Sequence, residues 1–204
     1  DRLSDARQNQ LYAPVMRRIG QIMNSEFLKP IFCQTPNPDM DLFKWIKEGK
    51  VIIFRMSTGQ LSERVIKTLC YWITLNVFLI EISLGGVSEA KGTYMILNEP
   101  HQFLSDGMVH FLERMLAEGP KYRLAPVFIF HHFQQFKQHP GFVDMMMSAS
   151  ANWHVFKNTN SKVYDKLMPY LQGTFEDVQQ AFEATKRLQY IAVWLNKDGE
   201  YEKP

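Results

Sequence analysis

The chain has 204 residues, 23 basic against 21 acidic for a formal net charge of +2, with 46% hydrophobic and 13% aromatic residues. That is enough chain to bury one core of ordinary size, and it has neither the charge-rich composition of a disordered protein nor the basic excess that announces nucleic acid by bulk charge. Cys33 and Cys70 stand far apart, with no CxxC and no framework of bridges, which suits a reducing, cytoplasmic setting.

The first residues, "DRLSDARQNQ", contain no apolar stretch of the kind a signal peptide needs. Leu3, Leu11, Val15, Ile19 and Ile22 then recur at near-helical spacing, and Pro14 predicts a break within a helix over residues 1 to about 28. "TPNPDM" reads as a turn. "LFKWIKEGK" reads as a short helix ended by Gly49, and "VIIFRM" (51–56) as the first strand, from its β-branched and aromatic residues.

Ser62 and Glu63 supply an N-cap and a first-turn acid for a helix ended by Gly85-Gly86. Its apolar positions are dense enough to predict burial on most faces. Its longest uncharged run, Thr68 to Ile80, is thirteen residues, short of the roughly 20 that span a bilayer, so a core helix and no membrane segment are expected.

A second strand follows at Thr93 to Leu97. Ser105-Asp106 opens a helix that runs to Glu118, where Gly119-Pro120 stops it; "VFIF" (127–130) is a third strand. After the Met-rich "MMMSAS" come a fourth strand (Trp153 to Phe156), a helix from Ser161 to Leu171, a capping box at Thr174 to Asp177 opening a last helix, a fifth strand (190–195) and a turn at Asp198-Gly199. Short apolar strands alternating with helices predict an α/β protein with a mostly parallel sheet covered on both faces.

Ligands of open α/β sheets sit beyond the carboxyl ends of the strands. Asn98 and Glu99 stand there on the second strand, His131 and His132 on the third, and Lys157 on the fourth. A carboxylate in that place can orient and polarise water for nucleotide hydrolysis, with its neighbour in the shell of a Mg²⁺. "NEP" also reads as a plain strand-ending turn. The three histidines His131, His132 and His139 lie close in sequence without HExxH or any Cys/His ligand spacing, and Lys121, Tyr122 and Arg123 could touch a DNA backbone or simply form a solvated loop. No GxSxG elbow is present, so covalent catalysis has no motif to rest on.

The stretches "EGKVIIFRMSTGQLSE", "TYMILNEPHQFL", "EGPKYRLAPVFIFHHFQQF" and "TFEDVQQAF" with "YIAVWLNKDGEYEKP" stand in the order and spacing of the C-terminal part of the conjugative-transfer ATPases of the HerA/FtsK superfamily. Nearly the whole chain resembles these RecA-like motors, which are similar to the TraG/TraD-like coupling proteins of type IV secretion. The resemblance implies a helical lead-in over 1–48 and the C-terminal part of a RecA-like P-loop domain over 49–204. It also implies ATP and Mg²⁺ as cofactors, DNA as partner, and a homo-oligomeric ring. By the same resemblance Glu99 is the catalytic glutamate of a Walker B motif, Asn98 falls on its Mg-associated aspartate, His131 on the γ-phosphate sensor, and Lys157 on a basic residue serving a neighbouring subunit's nucleotide. Asn98 departs from the pattern: it keeps the size and one acceptor oxygen but loses the charge.

No GxxxxGK[ST] occurs: Lys67-Thr68 follows Ile66, and Gly49-Lys50 precedes Val51. The chain therefore reads as part of a larger ATPase and as inactive alone. Two alternatives stay open: a non-hydrolysing relative acting as an assembly or binding module, which the Asn98 substitution favours, and a free-standing hydrolase using His131 or His132.

Overall fold

A computed structural model describes residues 5–85, 92–149, 152–157, 165–170, 175–186 and 189–194. The chain divides into two compact units, Asp1–Lys91 and Gly92–Pro204.

That unit is helical. Helix α1 (Asp5–Met23) runs through Pro14 without the expected break; the proline only withdraws the N–H that the Gln10 carbonyl would have accepted, and Gln10 is exposed to solvent. After α2 (Leu28–Phe32), the side chain of Asp41 accepts from the Lys44 N–H to open α3 (Leu42–Glu48), and Gly49 closes it at φ 72°, where a Cβ would be strained. Ser62 caps α4 (Glu63–Leu84) through the Val65 N–H, and Glu63 pairs with Lys67. Leu28, Val65 and Leu69 form a core with Ile22, Phe32, Met56, Leu61 and Ile73 against it.

One expectation fails here. Residues 51–56 form no strand: Val51 is 91% and Ile53 84% exposed, and β-branched residues do not hold a strand without a partner to pair with. Helix α4 is buried through Val65, Ile66, Leu69, Cys70, Thr74, Val77, Phe78 and Glu81, on more than one side, while Tyr71, Trp72 and Leu79 are exposed. At 22 residues it is long and apolar enough to cross a membrane by length and composition alone, and 44% of its apolar window is buried.

The second unit is α/β. Strand β1 (Thr93–Asn98) pairs in parallel with β2 (Leu124–Ile129), with Thr93 opposite Leu124 and Asn98 opposite Ile129. Between them α5 (Asp106–Glu118), capped by Ser105 and ended at Gly119, returns the chain as a parallel pair requires. Helix α5 packs on β2 and on α6 (Pro140–Ala149). Met108, Leu112, Met115 and Leu124 are almost wholly buried, and edge-to-face contacts of Phe142 with Phe128 and Phe136 extend the core. The opposite face of the pair, Tyr94 and Ile96 with Val127 and Ile129, is exposed.

The expected single, mostly parallel sheet is thus replaced, among the described residues, by a parallel pair and a separate antiparallel one, β3 (Asn152–Phe156) with β4 (Tyr190–Trp194). That register puts Trp153 opposite Val193 and Val155 opposite Ile191 on the inner face. Tyr190 meets His154 and Phe156 on the outer face, ring centroids 4.9 and 5.3 Å apart. The last helix, α7 (Phe175–Ala184), precedes β4. The expected helix 161–171 is described only over 165–170, helical residues leading into a 3₁₀ turn, and the capping residue Thr174 and the turn at Asp198-Gly199 lie outside the described residues.

Candidate active site

Because β1 and β2 are parallel, their C-terminal ends open on one edge. The ladder continues one residue past β1, with the Glu99 N–H donating to the Ile129 carbonyl at 2.8 Å. There the chain turns sharply: Glu99 adopts φ 52°, ψ 50°, a left-handed conformation that is costly for a residue with a Cβ and further disfavoured before a proline. Pro100 then opens a 3₁₀ turn, Pro100–Gln102, which brings His101 back under the Glu99 side chain. The turn stops the carboxylate from continuing along the strand and holds it over the edge. Non-glycine strain of this sort gathers at functional sites.

The Glu99 carboxylate, 20% exposed, is held on both oxygens. Its Oε1 lies 3.2 Å from Nε2 of His131, just past the end of β2. Its Oε2 accepts from the Gln135 amide at 3.2 Å and lies 3.5 Å from Nδ1 of His101. Gln135 belongs to the 3₁₀ turn Phe133–Phe136, and its Oε1 accepts from the backbone N–H groups of His131 and His132 at 2.9 and 3.0 Å. The same Gln135 Nε2 is 3.1 Å from Nε2 of His101. Beneath lies an aromatic floor: His101 meets Phe136 edge-on, and Phe136 makes further edge-to-face contacts with Phe130 and Phe142.

Of the residues singled out by sequence, Glu99 and His131 meet directly. Asn98 is adjacent and exposed, on the outward face opposite Ile129. His132 joins through its backbone N–H, which donates to Gln135 Oε1 at 3.0 Å, and through the capping box it forms with Gln135. His139 approaches Asp106 instead, at 3.6 Å. Lys157 belongs to the other sheet, where its ammonium donates to the Glu183 carbonyl at 2.9 Å, a cation at the last turn of α7. Lys121, Tyr122 and Arg123 occupy a turn before β2, at the opposite end of that strand from His131, about 20 Å away for six residues.

Two residues of the cluster, His101 and Gln135, escape a reading by motif. "HHFQQF" gives Gln135 no distinctive spacing, and the available signal is a Gln three residues after a turn-opening position, which can close back on the backbone as a capping side chain does. Among the described residues no group of three or more His, Cys, Asp and Glu side chains is placed to hold a metal ion. Among the described residues the side-chain oxygens at this edge are those of the Asn98 and Gln135 amides and a carboxylate already bonded to Gln135, a poor set for Mg²⁺. These residues do not fit the ion that the resemblance implies. An open hollow of about 480 Å³ beside β4, lined by Ala181, Ala184, Thr185, Gln189 and Tyr190, includes no member of the Glu99 cluster. Compared with protein-family models, curated proteins and solved structures, the chain matches none.

Proposed function

We propose that this chain supplies the water-activating edge of a nucleoside-triphosphate hydrolase, the C-terminal part of a RecA-like motor of the conjugative-transfer type that couples ATP hydrolysis to DNA movement. One observation carries the reading: the Glu99 carboxylate and the His131 imidazole, from the ends of two adjacent parallel strands, meet at 3.2 Å at the edge where such sheets bind ligands.

Glu99 can take the proton of an attacking water, and His131, 79% exposed, can turn a ring N–H toward the charge that develops on the terminal phosphate. No GxxxxGK[ST] occurs among these 204 residues, so the reading requires a phosphate cradle supplied from elsewhere. The proton step runs through protein groups alone.

The test is phosphate release from ATP by the full-length protein and by its Glu99→Gln variant. Loss of about 100-fold or more in kcat is expected for removing a general base. Equal turnover by the two proteins sinks the reading.

A second reading, an assembly module without hydrolysis, is favoured by Asn98 in place of an acid and by the exposed apolar face of Tyr94, Ile96, Val127 and Ile129. It predicts no ATP turnover in the native protein.

A further inference from the structure

The carboxamide of Gln135 can sit in only one of its two orientations. Its Oε1 faces two backbone N–H donors, those of His131 and His132 at 2.9 and 3.0 Å, and a flipped amide would point its own N–H groups at them. Nε2 must therefore face the other way, with one hydrogen for Oε2 of Glu99 at 3.2 Å and one for Nε2 of His101 at 3.1 Å. A ring nitrogen that accepts from an amide N–H cannot carry the ring hydrogen, so the hydrogen of His101 sits on Nδ1. That atom is buried, makes no hydrogen bond, and lies 3.5 Å from the same Oε2. A buried donor left without a bond calls for an explanation, and this one faces the carboxylate.

We propose that Gln135 is the positioning residue of Glu99: it binds Oε2, fixes His101 with its ring hydrogen on Nδ1 against that oxygen, and so leaves Oε1 to take the proton. The inference rests on the reading of Glu99 as the base. In that step a proton passes from water to Oε1 while the water oxygen bonds to the terminal phosphorus. The bridging P–O bond then breaks and its electrons leave with the nucleoside diphosphate. His131, beside Oε1, leaves that oxygen a second lone pair for the proton.

Gln135→Glu separates the two halves of this arrangement. A glutamate at 135 can still accept from the two backbone N–H groups but has no hydrogen to donate. Long-range proton–nitrogen correlation spectra of histidine-labelled full-length protein read the outcome, with His101→Gln identifying the signal. The native spectrum should show His101 with its hydrogen on Nδ1, and Gln135→Glu should move it to Nε2. Where ATP is hydrolysed, the same variant should lower kcat about tenfold or more while KM changes less than about twofold.

A native His101 with hydrogen on Nε2 overturns the proposal without any variant, so a Gln135→Glu protein that fails to fold does not protect it. An unchanged tautomer or unchanged kcat in a folded Gln135→Glu protein overturns it as well. Absence of ATP turnover in the native protein, with the tautomer as stated, instead removes the hydrolase reading and leaves the Gln135 geometry standing.

Discussion

Nε2 of His131 lies 3.2 Å from Oε1 of Glu99, closing the gap between the ends of two strands that are paired in parallel. The contact makes a donor at 131 more important than an aromatic ring. His131→Asn, which keeps an N–H, should retain more phosphate release from ATP than His131→Leu, and the leucine variant should lose about tenfold or more in kcat. Equal loss in the two variants would remove the donor role.

The backbone at Glu99 yields a separate expectation. Glu99→Gly and Glu99→Ala both delete the carboxylate contacts, but only glycine tolerates φ 52° freely. Urea denaturation should find the glycine variant more stable than the alanine variant by about 1 kcal/mol. The reverse order would mean that the left-handed turn is absent in solution.

Gly119 should resist even alanine. A Cβ there would lie 2.9 Å from the Leu124 carbonyl oxygen, backbone that cannot step aside. Gly119→Ala is expected to cost about 1–3 kcal/mol by overpacking, outweighing the gain in helix propensity of about 1 kcal/mol at a position with helical φ. Thermal denaturation of the variant decides it.

Cys70, 6% exposed and with its thiol 3.8 Å from the Met56 sulfur, has its pKa pushed up to about 11 by burial. The unfolded chain ionises first, near its ordinary value of 9.0, and so binds fewer protons than the folded protein between pH 9 and 11. Stability is therefore unaffected by this group below pH 9 and falls by about 2–3 kcal/mol as pH rises through that window. Cys70→Ala should flatten the decline. A thiol reagent at neutral pH should modify the exposed Cys33 quickly and Cys70 only on unfolding.

Asn98 stands exposed at the end of β1, next to Glu99, and the proposed hydrolase reading puts it beside the nucleotide. Asn98→Asp is expected to lower the Mg²⁺ concentration that half-saturates ATP hydrolysis by about an order of magnitude, since a carboxylate adds charge for a hard cation. An unchanged Mg²⁺ profile would show that residue 98 does not face the nucleotide.

Local sequence was enough for the elements whose signals are local. Asp41 and Gly49 bound α3, Ser62 opens α4 and Ser105 opens α5, because capping side chains, and at Gly49 a left-handed glycine, act within one turn of themselves. The apolar run ending at Asn98-Glu99 likewise marked β1 and its polar tip.

What sequence left open was every feature that depends on a distant partner. "VIIFRM" has the residues of a strand and none of the pairing, and β3 with β4 reads as part of a parallel sheet until cross-strand contacts of Tyr190 with His154 and Phe156 accompany the opposite direction. The candidate site shows the same division. Glu99 and His131 could be named from their places at strand ends, whereas Gln135 reaches Glu99 across 36 residues of sequence. Propensity and caps are settled within a turn of the chain, but hydrogen bonds between side chains so far apart exist only once parallel pairing and a tight left-handed turn have brought them to one edge.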